Sequence, residues 1–224
     1  MKVLENQTSN ISWKGLALAV AVAAALWFYM FSPWTAGVTN FWVTMSAAAV
    51  ILTATALLLT RGAALRSLKC ERPLLQLLLG VALAFALWGI FWLGDRLSSL
   101  MFDFARPQVD AVYSMKQGFP AWLIALLLLL VVGPAEEFFW RGFVQKELSS
   151  LISGWRFSAD HAFLITVLVY GLVHVWSFNF MLVMAALVAG AVWGFIYRLQ
   201  PRLLPALIVS HALWDALVFV ILPI

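Results

Sequence analysis

The chain alternates between long apolar segments and short polar ones. Seven apolar segments are long enough, or nearly long enough, to cross a bilayer as helices, which takes about 20 residues each. None shows the apolar–polar alternation that is typical of transmembrane β-strands. The pattern therefore predicts an all-α, polytopic transmembrane helical bundle of about seven spans, at residues 13–31, 41–60, 74–93, 120–148, 162–176, 180–197 and 204–222.

The spans are expected to form a single integral-membrane domain over residues 1–224. Residues 1–118 supply the first three spans and a connector, and residues 119–224 supply a core of four helices. A short polar tail is predicted at residues 1–12. The first span is expected to be retained, because Ser32-Pro33-Trp34 after it does not resemble a signal-peptide cleavage site.

The longest connector lies between the third and fourth spans, at residues 94–118. It mixes charged residues with large apolar ones, which is typical of an amphipathic helix that lies in the membrane interface. Pro107 is predicted to interrupt this helix, because proline lacks the backbone N–H that a helix interior requires.

Composition and charge support a membrane protein. Only 11% of the residues are charged and 64% are hydrophobic, whereas about 25% of an average soluble domain is charged. The net charge of +4 lies in the loops, so it indicates topology rather than nucleic-acid binding. The single cysteine, Cys70, excludes an internal disulfide and a paired-cysteine motif.

Lys and Arg are distributed unequally between the two sides of the predicted bundle. With the N-terminus inside, the outer segments hold Arg96, Arg106 and Lys116. The inner segments hold a larger set: Lys2, Lys14, Arg61, Arg66, Lys69, Arg72, Lys146, Arg156, Arg198 and Arg202. Because positive residues concentrate on the cytoplasmic side, we expect the N-terminus inside a bacterial inner membrane. The bilayer is then an obligatory partner, while the oligomeric state stays open.

A few polar residues interrupt three of the apolar segments, where charges are costly and usually functional. They are Glu136, Glu137 and Arg141 in the fourth span, Tyr170 and His174 in the fifth, and His211 and Asp215 in the last. Residues four apart share one helix face. This spacing predicts three pairs: Glu137 with Arg141, Tyr170 with His174, and His211 with Asp215. Glu136 lies about 100° around the helix from Glu137, so it can face a different neighbour.

These groups suit hydrolysis by an activated water. A carboxylate removed from water can act as a general base near neutral pH, and a histidine can assist it. A second histidine can stabilise the oxyanion that forms when water attacks a carbonyl. Ser210 is a poor nucleophile candidate for His211, because adjacent helix residues point about 100° apart.

The motifs resemble those of the CAAX-protease and bacteriocin-processing family of intramembrane endopeptidases. The resemblance rests on Glu136-Glu137-x-x-x-Arg141, Tyr170-x-x-x-His174 and His211-x-x-x-Asp215, in that order on successive apolar helices. It implies that Glu136 activates water with the help of His174, and that Glu137 and Arg141 support the geometry. His211 and Asp215 would stabilise the oxyanion or orient the water.

Two positions differ from the pattern of related enzymes. The second motif usually begins with phenylalanine, so the hydroxyl of Tyr170 needs a partner if it is buried. The third motif ends in asparagine in related prenyl-protein endopeptidases. An ionised Asp215 would repel an oxyanion, so Asp215 must be protonated or must orient His211.

The resemblance implies a glutamate mechanism with no required cofactor. A divalent metal is the alternative, since Glu136, His174 and His211 are an acceptable zinc ligand set. The substrate would be a membrane-anchored protein or peptide. Prenylated C-terminal tails, bacteriocin precursors, and sorting tails of a myxosortase-like branch are all open.

Two other functions stay open as well. One is a non-catalytic immunity or scaffold protein of the same fold, and the other is a small proton-coupled transporter. The assembly of the site is also open, because simple helix lengths separate Glu136 and His174 in depth. Either the fifth span is short or the fourth span is long and tilted.

Overall fold

A computed structural model describes residues 11–224, so most of the predicted polar tail and Lys2 lie outside the described residues. The described part is helical and contains no strand, which confirms the all-α prediction. Within residues 11–224, seven helical segments are long and apolar enough to cross a membrane. The helices are α1 (Trp13–Phe31), α2 (Phe41–Leu59), α3 (Pro73–Met101), α4 (Ala105–Ser114), α5 (Ala121–Leu151), α6 (Ser158–Leu172), α7 (Phe180–Leu199) and α8 (Leu204–Ala216).

The helix ends follow local sequence signals. Ser12, Asn40 and Asn179 accept hydrogen bonds from backbone N–H groups in the first turns of α1, α2 and α7. Such caps satisfy donors that have no partner inside a helix. Pro73 begins α3, where its missing N–H costs nothing.

The connector differs from the prediction in two respects. Helix α3 continues to Met101 and therefore takes up the beginning of the predicted connector. Pro107 does not interrupt the interfacial helix, because it lies in the first turn of α4. An N–H at that position has no intrahelical acceptor, so proline is tolerated there. The prediction of a break at Pro107 was wrong.

The basic loops lie together at one end of the bundle. Arg198 at the end of α7 pairs with Asp160 at the start of α6. Nη1 of Arg202 lies 3.9 Å from Oε2 of Glu71. Arg202 precedes α8, and Glu71 precedes α3. These contacts fit the alternating path of the helices and group the segments that the charge distribution assigns to one side. The inside position of that end stays a prediction.

The other end of the bundle is closed by α4. The Arg106 guanidinium pairs with Asp110 at 2.7 Å and donates to the backbone oxygen of Ile224 at 3.3 Å. The Tyr113 hydroxyl donates to the carbonyl of Val218 at 2.9 Å. Asn179 donates to the carbonyl of Gln108 at 2.7 Å. Helix α4 therefore ties the last residues of the chain to the start of α7.

Helix α8 packs closely against α5 beside the candidate residues. A Cβ on Gly133 would lie 2.6 Å from Cα of Ala212, which is closer than side-chain atoms approach backbone. Glycine therefore lets the two backbones touch. This contact sets the distance between the acidic motif of α5 and the histidine of α8.

Candidate active site

Helix α5 carries the acidic motif between two widened turns. Residues 128–132 and 138–145 are π-helical, and Gly133–Glu137 between them is α-helical. π-helical turns are rare in proteins overall, and those that occur are often found at functional sites. The motif is buried: Glu136 is 5% exposed, Glu137 0% and Arg141 1%.

Glu137 is the centre of the charged contacts. Its Oε2 accepts a hydrogen bond from Nη1 of Arg141 at 3.1 Å, so the predicted pair is present. The same oxygen lies 3.1 Å from Nδ1 of His211 on α8. Because Oε2 already accepts from Arg141, we assign the proton of that contact to Nδ1. Glu137 thus fixes the orientation of the imidazole as well as neutralising the guanidinium.

Arg141 is held from α7 as well. Its Nη2 donates to the carbonyl of Gly190 at 3.1 Å, and the guanidinium lies over the rings of Tyr170 and Trp193. A cation that is removed from water needs such partners. The small residue at Gly190 matters because a Cβ there would lie 2.9 Å from the Tyr170 ring.

The His211 ring is held by Trp193 in addition to Glu137. Trp193 stacks on it with a centroid distance of 4.0 Å and an interplanar angle of 18°. The Trp193 indole itself donates to Oγ of Ser210 at 3.1 Å. Nε2 of His211 is 3.6 Å from Oδ2 of Asp215, which is longer than a hydrogen bond. Glu137 therefore holds His211 more directly than Asp215 does.

Tyr170 joins Glu136 to the fifth span. Its hydroxyl donates to Oε2 of Glu136 at 3.1 Å, and both side chains are buried. This is the partner that a buried tyrosine hydroxyl requires. Oε1 of Glu136 makes no hydrogen bond within the described chain. The arrangement therefore holds one carboxylate oxygen and leaves the other available to a water.

His174 is joined to this set through Tyr170. Its Nδ1 lies 2.7 Å from the backbone oxygen of Tyr170, and a carbonyl can only accept, so Nδ1 carries the proton. Nε2 accepts a hydrogen bond from the Trp27 indole at 3.0 Å. His174 makes no direct hydrogen bond or ion pair with Glu136 in the described structure.

The lengths of α5 and α6 together set the depth of the site in the bundle. Glu136 lies near the middle of α5, which has 31 residues in all. Helix α6 ends at Leu172, and the chain continues through His174 into a short 3-10 turn, Val175–Ser177. A long fourth span and an early end of the fifth helix together bring Tyr170 to the level of Glu136.

The structure adds two site residues that the sequence did not indicate, Trp27 and Trp193. Both indoles contact candidate histidines, yet each lies on an apolar helix of a chain with 12 tryptophans. Spacing gives no signal for Trp27, since its partner is 147 positions away. Trp193 lies three residues after Gly190, on the face of α7 toward Arg141, so helical periodicity offers a weak signal.

The candidate ligands do not form a metal site in this arrangement. Within residues 11–224, no group of three or more His, Cys, Asp or Glu side chains is placed to hold a metal ion. In particular, Nε2 of His174 faces Trp27 rather than Glu136 or His211. The donor set of Glu136, His174 and His211 therefore does not fit a shared metal ion here.

An apolar cavity of about 390 Å³ lies beside the site, between α3, α4, α7 and the end of α8. Trp214 lines it and packs against Trp193, with 5.6 Å between ring centroids. Trp193 stacks on His211 in turn. Two aromatic rings therefore separate the cavity from the imidazole. The carboxylate of Asp95 is the one acidic side chain in the lining.

Comparison with protein families agrees with the motif analysis. Residues 118–217 match the family model described as type II CAAX prenyl endopeptidase Rce1-like. The matched segment spans α5 to α8 and contains every candidate residue except Trp27. The match agrees with the family resemblance that the motifs carry over this part of the chain. The myxosortase-like branch stays a prediction. Searches of curated proteins and of solved structures found no match.

Proposed function

We propose that this chain, whose residues 118–217 are Rce1-like, is an intramembrane endopeptidase in which Glu136 activates a water. One observation carries the proposal: a buried carboxylate has one oxygen held by Tyr170, while the other makes no hydrogen bond with residues 11–224. A general base must reach the proton it removes, directly or through one water. The free Oε1 provides that position inside the bundle.

The reaction would proceed in two steps. Oε1 of Glu136 removes a proton from water while the water oxygen bonds to the carbonyl carbon of the substrate. The carbonyl oxygen becomes an oxyanion. The tetrahedral intermediate then breaks its C–N bond, and Glu136 returns the proton to the departing amine. A new carboxyl group and a new amine result, and Glu136 is ready for another cycle.

His211 is the proposed stabiliser of the oxyanion. Glu137 fixes the position of Nδ1 and Trp193 fixes the plane of the ring, so Nε2 points in one fixed direction. When Nε2 carries a proton, it can donate to the developing oxyanion without reorganising. Asp215, whose Oδ2 lies 3.6 Å from Nε2, would act through His211 rather than bind the oxyanion, because an ionised carboxylate repels an oxyanion.

The substrate is proposed to be a membrane-anchored protein or peptide that is cut near its C-terminus. The name of the matching family suggests prenylated CAAX tails as the first class to test. The cavity of about 390 Å³ supports this choice, because its apolar walls could accept a hydrocarbon group near His211. No metal or other cofactor is required by this proposal.

The experiment is cleavage by the reconstituted protein. Full-length protein in liposomes would be incubated with a prenylated CAAX peptide, a bacteriocin precursor and a sorting tail with a basic cluster, and products identified by mass spectrometry. We expect the prenylated peptide to be cut. His211→Ala should abolish cleavage, whereas His161→Ala should not. His161 is exposed, and its hydrogen bond within residues 11–224 is to the Phe157 carbonyl before its own helix, away from the candidate site. Absence of cleavage of all three peptides by the wild type contradicts the proposal.

A further inference from the structure

We propose that Trp27, on the first span, is a positioning residue for His174; this inference rests on the proposed hydrolytic function. The first three spans lie outside the segment that matches the family, which begins at residue 118. Trp27 nevertheless donates its indole N–H to Nε2 of His174 at 3.0 Å. The contact links the first half of the chain directly to the candidate site.

The hydrogen bond is formed away from water. Trp27 is 1% exposed and His174 is 7% exposed. The imidazole is also surrounded by rings: its centroid lies 5.8 Å from the Trp27 ring, 5.7 Å from Phe31 and 5.2 Å from Tyr170. These contacts leave the ring little freedom to turn. A hydrogen bond at such a place is strong, and an unmade one is costly.

Together the two hydrogen bonds define one tautomer. Nδ1 donates to a backbone oxygen of Tyr170, which cannot rotate away while α6 is intact. Nε2 must then be the unprotonated nitrogen, because it accepts from Trp27. The hydrogen-bond partner of one ring nitrogen sets the protonation state of the other nitrogen. Trp27 therefore keeps Nε2 unprotonated, as a hydrogen-bond acceptor.

This state fits the assisting role that the family resemblance implies for His174. An imidazole can accept a hydrogen bond from water only through a nitrogen that carries no proton. Nδ1 carries the proton that bonds to the Tyr170 carbonyl, so Nε2 is the nitrogen that can exchange the indole N–H for a hydrogen bond from the water, whose other proton goes to Glu136. Trp27 would hold the ring in this orientation until water and substrate arrive.

The neighbouring Trp140 provides a matched control. It is fully buried in the same aromatic cluster, 6.4 Å from Trp27 between ring centroids. Its Nε1 has no hydrogen-bond partner in the described structure. Replacing Trp140 by Phe therefore removes similar packing but no hydrogen bond. A difference between the two variants reports the bond to His174.

The first test is kinetic. We expect Trp27→Phe to lower kcat about tenfold, the effect of a barrier about 1.4 kcal/mol higher, with an unchanged KM. Trp140→Phe should leave kcat within about twofold of the wild type. If Trp27→Phe folds poorly, 3-benzothienylalanine at position 27 keeps both fused rings and replaces the N–H by sulfur. Equal kcat values for the Trp27 and Trp140 variants, or a higher kcat for Trp27→Phe, would overturn the inference.

The second test does not depend on activity. The chain has three histidines, so the ¹⁵N resonances of His174 can be assigned by comparison with His174→Ala. We expect a neutral Nδ1–H tautomer with a hydrogen-bonded Nε2, and a shift of that Nε2 resonance in Trp27→Phe but not in Trp140→Phe. If the resonance does not move, Trp27 does not hold His174. If the wild type cleaves nothing, the proposed function fails, while this spectrum still decides whether Trp27 fixes the ring.

Discussion

Replacing Glu137 by alanine should destabilise the protein more than any exposed charge change. Glu137 is the buried counterion of Arg141, and their exposed fractions are 0% and 1%. The variant leaves the guanidinium buried with the Gly190 carbonyl as its remaining hydrogen-bond acceptor. Removing one partner of a buried ion pair costs about 3–5 kcal/mol. We expect a loss in this range, because the contact with His211 disappears as well.

Three further variants separate the charge from the packing. Glu137→Gln keeps an oxygen that can accept from Arg141, so it should cost about 1–3 kcal/mol. The double variant Glu137→Ala with Arg141→Met removes both charges and should be more stable than Glu137→Ala alone, since no unpaired charge stays buried. Asp110→Ala breaks the exposed pair with Arg106, which has the same spacing, and should cost less than about 1 kcal/mol.

The assay is reversible unfolding of the purified protein in mixed micelles with increasing SDS. Tryptophan fluorescence reports the transition, since the chain has 12 tryptophans. The free energy of unfolding of each variant is compared with that of the wild type. If Glu137→Ala costs no more than Asp110→Ala, Glu137 is not the buried counterion of Arg141 and the described site is wrong.

Three other substitutions test separate contacts of the site. Tyr170→Phe keeps the ring that related proteins usually have and removes the hydrogen-bond donor to Glu136. In peptide cleavage, kcat should therefore fall about tenfold or less. Total loss of cleavage would contradict a supporting role for this hydrogen bond. Asp215→Asn can still orient an imidazole and should keep kcat within about tenfold, whereas inactivity would show that the carboxylate itself is needed. Gly133→Val should destabilise the protein by about 1–3 kcal/mol in the SDS titration and should reduce cleavage. The control is Gly89→Val, where a Cβ meets nothing within 4 Å; it should change neither the stability nor the cleavage rate.

The overall architecture could be predicted because span length and helix ends are local properties. The first span was predicted at the residues where it is found, since Ser32-Pro33 follows a continuous apolar run. The end of α3 was not predictable in the same way. Its last turns carry Asp95 and Arg96, and charged residues in a helix that extends beyond the apolar layer look the same as those in a loop. Pro107 was misread because its effect depends on its position within the helix.

The candidate site was predictable only where its contacts are local. The pair Glu137 and Arg141 follows from helical spacing, and the structure contains it. The hydroxyl of Tyr170 clearly needed a partner, but the sequence could not show that Glu136 is that partner. The Trp27 bond to His174 is a contact between distant parts of the chain. Such contacts depend on tertiary packing, which no local spacing encodes.

The most direct test of the account is cleavage by Glu136→Gln, with Glu147→Gln as the matched control. Both residues are buried carboxylates on α5, and each amide keeps the size of the side chain. We expect Glu136→Gln to fold and insert normally but to cleave no prenylated peptide in liposomes, because an amide cannot accept the proton of water as a base. Glu147→Gln should cleave as the wild type does. Normal cleavage by Glu136→Gln would contradict the central claim that this carboxylate activates the water.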